Sequence, residues 1–326
     1  MNAVVRVVVA IAIVTGVAAF VRTMSSDSGA ANGSTEPPRF TSSKQCAECH
    51  REVFDEWQGS HHQIAYENPE VRKLSDDFRN KECQACHLPR PISQTGLLNR
   101  TLPRVTRPDE GVDCLACHLD VNGRVVGLNA SDLGCAPVAD AEHMGVNLCG
   151  TCHNQHETTD QWRASRYAKE GITCNDCHMP KVTRADGSTG RRHVYEGCHD
   201  EEMLRSAATF EATREGDELV LAVTNTGAGH NFPTEERHRA VDILVRFVDE
   251  AGTATDWQHL YRFRQPYRDE PQINTQLPAD ARHESRVDVP ADAVRAEARL
   301  WYRLNPYATD DDPASTLLFE REVDLR

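Results

Sequence analysis

The sequence predicts two domains of unlike class, a mostly helical and irregular N-terminal domain over 44–205 and an all-β, antiparallel, sandwich-like domain over 206–326. Two observations predict the division. Cys-x-x-Cys-His occurs five times between residues 46 and 178, and beyond about residue 207 apolar and polar side chains alternate with period two. A third feature, an apolar run at the start of the chain, lies outside both domains.

That run occupies residues 1–22. Arg6 supplies a positive n-region, and residues 7–21 are apolar apart from the softer Thr15 and Gly16. Its length lies between a signal-peptide core and a full membrane span. Val17 and Ala19 make a poor small-x-small cleavage site, so an uncleaved signal anchor is expected, with a cleaved signal peptide as the alternative. Either puts the remainder on the periplasmic side of the cell membrane, held to the inner membrane by the N-terminal helix or secreted. Residues 23–43 are rich in Ser, Gly, Ala, Asn and Pro, too polar to bury a core, and are expected to form a flexible linker.

The five motifs read as c-type haem attachment. Two thiols three residues apart each add to a haem vinyl group, and the next imidazole is then held against the iron. The attachment cysteines are Cys46 and Cys49, Cys83 and Cys86, Cys114 and Cys117, Cys149 and Cys152, and Cys174 and Cys177. The proximal histidines are His50, His87, His118, His153 and His178. Zinc also binds paired Cys-x-x-Cys units, but it needs an even number of pairs and has no use for histidine after every one. A Cys-x-x-Cys disulfide closes a strained, reducible loop. With 15 histidines in 326 residues, histidine after all five pairs by chance is on the order of one in several million. Five covalently bound haem c groups are therefore expected, and their apolar faces explain how a chain with only 6% aromatic residues fills a core.

The formal charge of −14 grows by about −1 with each ferric haem and its two propionates. Such a surface argues against nucleic acid as a partner and suits basic redox partners or small substrates. Cys135 and Cys198 belong to no complete motif. In an oxidising compartment two leftover thiols pair, so a Cys135–Cys198 disulfide is expected. Cys198-His199 also resembles half a haem motif, and a sixth, single-thioether haem is the competing reading.

Motifs starting at 46, 83, 114, 149 and 174 leave too few residues between them for sheets, so short helices and loops are expected there. An internal repeat supports this: Trp57-x-x-Ser60 follows the first motif and Trp162-x-x-Ser165 the fourth, each on a short helix. In the second domain 218–225, 240–248 and 294–304 read as strands, with 286–289 and 317–323 as further candidates and turns at 214–217 and 250–252.

Haem iron has two axial positions, and the second decides between electron transfer and open-site chemistry. Ten histidines remain for it: His61, His62, His143, His156, His193, His199, His230, His238, His259 and His283. Here the linking residues reach a pattern. Trp57-x-x-Ser60-x-His62, Gly111-Val-x-Cys114, Cys177-His-Met-Pro180, His193-x-Tyr-Glu-Gly-x-His199-Asp200 and Gly227-Ala-Gly-His230-Asn-Phe-Pro-Thr234 resemble the multihaem cytochrome c superfamily containing nitrifier tetrahaem cytochrome c and hydroxylamine oxidoreductase. The resemblance covers residues 44 to about 240 and implies that 44–205 is a pentahaem cytochrome c domain. It implies distal ligation by His62, His193, His199 and His230; His143, shortly before Cys149, is the choice for a fifth. His61 competes with His62, and His156 with His143. His238, His259 and His283 read as ordinary surface residues. Tyr167 departs from the pattern, standing where the second Trp-x-x-Ser repeat would put a histidine.

Bis-histidine iron leaves no seat for substrate and favours low potentials. The resulting expectation is an exported, membrane-tethered pentahaem cytochrome that moves electrons between redox partner proteins, such as a quinol-linked donor and a terminal reductase. The alternative is a multihaem reductase or oxidase of a small nitrogen or sulfur compound, with one open or Tyr-associated haem near Tyr167. Histidine in every proximal slot weighs against that alternative.

Overall fold

The computed structural model describes residues 39–132, 134–234, 237–267 and 270–326, and the signal anchor expected over 1–22 lies outside them. Among the described residues no helix is long and apolar enough to cross a membrane. In the motif-bearing half every helix is short, because each is one motif or one link between motifs. The motifs lie on or directly after Ser43–Cys46, Lys81–His87, Cys114–His118, Val146–His153 and Cys174–His178. One helical turn brings residues i, i+3 and i+4 to one face, which is the cysteine and histidine spacing of the motif. Side-chain caps start several of these turns. Asp113 accepts from the Ala116 N–H at 2.7 Å, while Ser42 with Gln45 and Thr173 with Asp176 form capping boxes.

The expectation of no sheets in this half needs correction. Strand β1 (Val126–Gly127) pairs in parallel with β2 (Val138–Ala139), and β3 (Lys181–Thr183) pairs antiparallel with β4 (Thr189–Arg191). Ladders of two or three residues fit within links too short for ordinary strands. The repeat acquires a structural meaning as well. The Trp57 indole donates to the Val112 carbonyl and the Trp162 indole to the Ile172 carbonyl, both at 2.9 Å. Each carbonyl lies two residues before the first cysteine of a motif, so each repeat ties its helix to the entry of a later motif.

The helix Glu201–Ala207 leads straight into β5 (Ala208–Glu215), followed by β6 (Glu218–Asn225), β7 (Ala240–Asp249), β8 (Gln258–Phe263), β9 (Arg282–Asp288), β10 (Ala293–Arg303) and β11 (Ser315–Asp324). They form two antiparallel sheets, ordered β11-β10-β7-β8 and β5-β6-β9. Phe210, Leu219 and Leu221 of one sheet share a core with Ile243, Leu300 and Leu318 of the other. Gly216 and Gly252, at φ +63° and +82°, make the tight turns read from the sequence.

The expected Cys135–Cys198 disulfide is not formed, and both cysteines are free. The Cys198 thiol hydrogen-bonds with Tyr302 and Arg239 at the sandwich, whereas Cys135 lies in the electrostatic neighbourhood of Cys46. The leftover-thiol rule counts cysteines without regard to where the fold carries them.

One charge network braces the four-stranded sheet. Asp242 on β7 is 1% exposed and accepts from Arg262 at 2.6 and 2.8 Å, from Arg303 at 3.1 Å and from His259 at 3.1 Å. Burial alone would raise its carboxyl, but the Arg262 and His259 bonds and charges outweigh that and hold it well below the usual carboxylate range. A depressed folded pKa contributes stability above the unfolded value of about 4, and that contribution fades as pH falls through it. Asp242→Asn should cost about 3 kcal/mol by removing the buried charge that Arg262, Arg303 and His259 converge on, and should flatten the acid limb of stability. Thermal unfolding followed by far-UV circular dichroism from about pH 3 to pH 7 measures both.

Candidate haem-binding site

Three motif histidines have one ring nitrogen committed to backbone. His87 Nδ1 donates to the Ala65 carbonyl at 2.9 Å, His118 Nδ1 to Val126 at 2.9 Å and His178 Nδ1 to Glu196 at 2.6 Å. A carbonyl only accepts, so Nδ1 carries the proton in each ring and Nε2 keeps its lone pair. The short β1–β2 ladder thus has a use, since it places the Val126 carbonyl.

Second imidazoles stand opposite three motif histidines. Ring centroids are 6.0 Å apart for His62 and His153, 6.4 Å for His118 and His193, and 6.3 Å for His178 and His230. Two imidazoles ligating one iron from opposite sides, through bonds of about 2 Å each, bring their centroids to about 6 Å. His193 Nδ1 donates to the Arg191 carbonyl at 2.8 Å, and His230 Nδ1 to Asn231 at 2.9 Å, repeating the proximal arrangement. Burial, reinforced by nearby imidazoles, lowers the His62 pKa to about 3, and burial lowers His193 to about 4 and pulls His118 down. Neutral rings with free lone pairs are what a metal requires. The residues present therefore fit haem iron at three motifs.

Local sequence explains how the opposing rings arrive. A Cβ on Gly111 would lie 2.2 Å from the Gln63 carbonyl oxygen and 2.4 Å from that of His62, so only glycine lets the third motif's entry segment lie against the His62 backbone. There the Val112 N–H donates to the His62 carbonyl at 2.8 Å. His193 follows the β3–β4 hairpin, which Glu56 clamps to the helix Arg51–Trp57. The Glu56 carboxylate accepts from both Arg184 terminal nitrogens and, at 2.9 Å, from the His193 backbone N–H. Arg184 Nη2 also donates to the Arg191 carbonyl at 2.8 Å. Burial alone would raise the Glu56 carboxyl, but the Arg184 and His193 hydrogen bonds hold it below its ordinary value. His230 sits in the loop after β6. Asn225, fully buried, donates to the His230 carbonyl at 2.8 Å and accepts from the Ala228 N–H at 3.1 Å.

The other expected ligands are placed differently. His199 stacks on His61 with centroids 3.8 Å apart, too close for an atom between them. His143 is 8% exposed, and its Nε2 donates to the Cys117 carbonyl at 2.8 Å. His156 lies in the turn after Val146–His153, and His50 is exposed at the start of Arg51–Trp57. Of the three histidines read as surface residues, His259 joins the Asp242 network, His283 packs on Tyr261 with centroids 3.7 Å apart, and His238 hydrogen-bonds with Tyr267. Sequence reasoning missed Tyr195 as a site residue. At φ +59°, its ring lies 4.1 Å from that of His62 and 5.7 Å from that of His193, between two of the facing pairs. It also missed Glu56 and Arg184.

Thiol contacts draw motifs together. Cys46 and Cys114 are hydrogen-bonded, as are Cys149 and Cys174, so the first motif adjoins the third and the fourth adjoins the fifth.

Attachment motifs and paired imidazoles together fit covalently bound haem c, the cofactor of multihaem c-type cytochromes, and such proteins are what this chain resembles. Residues 45–119 match the family described as cytochrome c554 and c-prime. Cytochrome c-552 from two strains of Haemophilus influenzae is 37% identical over 68 residues, covering 17% of this chain and 13% of the relative. The chain thus matches a small part of those relatives' length. A solved penta-heme cytochrome c552 from Thermochromatium tepidum superposes with a TM-score of 0.69 at 18% identity, covering 89% of this chain and 100% of that one. At that identity the likeness is one of fold.

Tyr167 is 8% exposed, and its hydroxyl donates to the Thr226 carbonyl at 2.9 Å. Gly229 packs on the ring, where a Cβ would stand 3.2 Å from Tyr167 Cγ. Tyr167→Phe should cost about 1 kcal/mol and leave every haem absorption band unchanged. Denaturant unfolding and the Soret spectrum check the two halves of that expectation.

Proposed function

We propose that the protein is a pentahaem electron carrier, exported and tethered to the periplasmic side of the membrane by its leader. The observation that carries this reading is the set of three imidazole pairs at 6.0, 6.4 and 6.3 Å. Haem iron held between two imidazoles takes up and releases single electrons with little change in its surroundings, and without a methionine sulfur it does so at low potential. The protein's part is to fill both axial positions and keep neighbouring groups close. Thiol contacts between the first and third motifs and between the fourth and fifth support short transfer distances within each pair. Tyr195, between His62 and His193, supports a link joining the two pairs. His199 and His143 are retained as candidate distal ligands, with the iron each would serve left open. Basic redox proteins, among them a quinol-linked donor and a terminal reductase, are the partners this reading implies. Kinship with the nitrifier tetrahaem and hydroxylamine oxidoreductase superfamily belongs to the same reading. The open-iron alternative draws no support from Tyr167, whose hydroxyl already serves Thr226.

Two variants test the ligand pairs. His193→Ala and His230→Ala should each convert one low-spin haem to a high-spin form that binds carbon monoxide after reduction. Unchanged spectra in both would remove the pairing. Intact mass should report five haems, and any other number corrects the count.

A further inference from the structure

Resting on the His118–His193 pairing, we infer that Glu56 and Arg184 are positioning residues that fix the ligand orientation of one haem, the one held by His193. Glu56 and Arg184 are separated by 128 residues in sequence, yet the guanidinium and carboxylate meet as a bidentate pair with only 10% and 19% side-chain exposure. Surface ion pairs contribute little, but a shielded, forked one holds two segments at a defined angle. This pair acts on His193 from two sides. Glu56 Oε2 takes the His193 backbone N–H at 2.9 Å, which sets where the residue's main chain lies. Arg184 Nη2 donates at 2.8 Å to the same Arg191 carbonyl that receives His193 Nδ1 at 2.8 Å. That carbonyl is therefore pinned by a charged donor, and with it the ring plane and tautomer of the imidazole. An outer partner that orients a ligating histidine also tunes the metal, because it controls how strongly the ring donates.

The test uses the full-length, haem-loaded protein and electron paramagnetic resonance with spectroelectrochemical titration. Glu56→Gln and Arg184→Gln should each shift the g-values and midpoint potential of one low-spin haem and leave the others in place. That haem must be the one converted to high spin by His193→Ala. The double variant should shift it no further than the larger single change, since both act through one network. Glu52→Gln is the control: Glu52 is 51% exposed, lies at the 4.0 Å edge of ion-pair range from Arg184, accepts from the Ala185 N–H at 3.2 Å, and has no bond to His193 or the Arg191 carbonyl among the contacts described. It should shift nothing. Arg184→Lys keeps the charge but not the fork, so it should remain folded and still move the same signal. Unshifted g-values in Arg184→Lys and Glu56→Gln, or a shift at a different haem, overturn the assignment. Should His193→Ala itself leave every haem low-spin, the ligand pairing fails instead, and the two failures are told apart by that variant alone.

Discussion

An imidazole has two nitrogens, and the rest of this structure depends on their doing different work. Where Nδ1 is tied to a backbone carbonyl, Nε2 is left pointing away from the chain with its lone pair free. The carbonyls that do the tying are Ala65, Val126 and Glu196 for the motif rings, each from a different segment than the ring it holds. The opposing rings come from farther still, since His62 precedes His153 by most of the motif-bearing half and His230 belongs to the loop after β6. Short helices with little apolar surface of their own are thus joined by cross-ties, and each tie also orients an imidazole.

Much of this was legible in the sequence, and the parts that were not share a cause. The five Cys-x-x-Cys-His motifs could be read because their spacing fits one helical turn. The partner of each motif histidine could not, because tertiary folding sets it: His62 follows the first motif but faces the fourth. Glycines recognised only as pattern acquire reasons here. A Cβ on Gly227 would stand 2.0 Å from the Ser206 carbonyl oxygen, just as one on Gly111 would collide with the backbone next to His62. Strands β5 and β8 escaped notice because each carries an exposed polar stretch, Thr213–Glu215 in β5 and Gln258–His259 in β8, that reads as loop. Glu56 and Arg184 left no spacing signal at all, being 128 residues apart.

The sandwich is more than an appendage to the motif-bearing half. Asn225 closes β6 with its side chain fully buried, and that one amide organises the loop carrying His230 through bonds to the His230 and Leu277 carbonyls. Asn231 and Thr234 then reach Gln161, on the helix after the fourth motif, at 3.2 and 2.7 Å. The position of His230 is therefore inherited from a hydrophobic core built of Leu, Ile and Phe, rather than from the loop itself.

Polypeptides are synthesised from the amino end, and that direction matters for an imidazole borne by the loop after β6. Cys174, Cys177 and His178 emerge well before the strands that frame His230. Attachment at Cys174 and Cys177 needs only the motif itself, whereas the imidazole opposite His178 arrives with the folded sandwich.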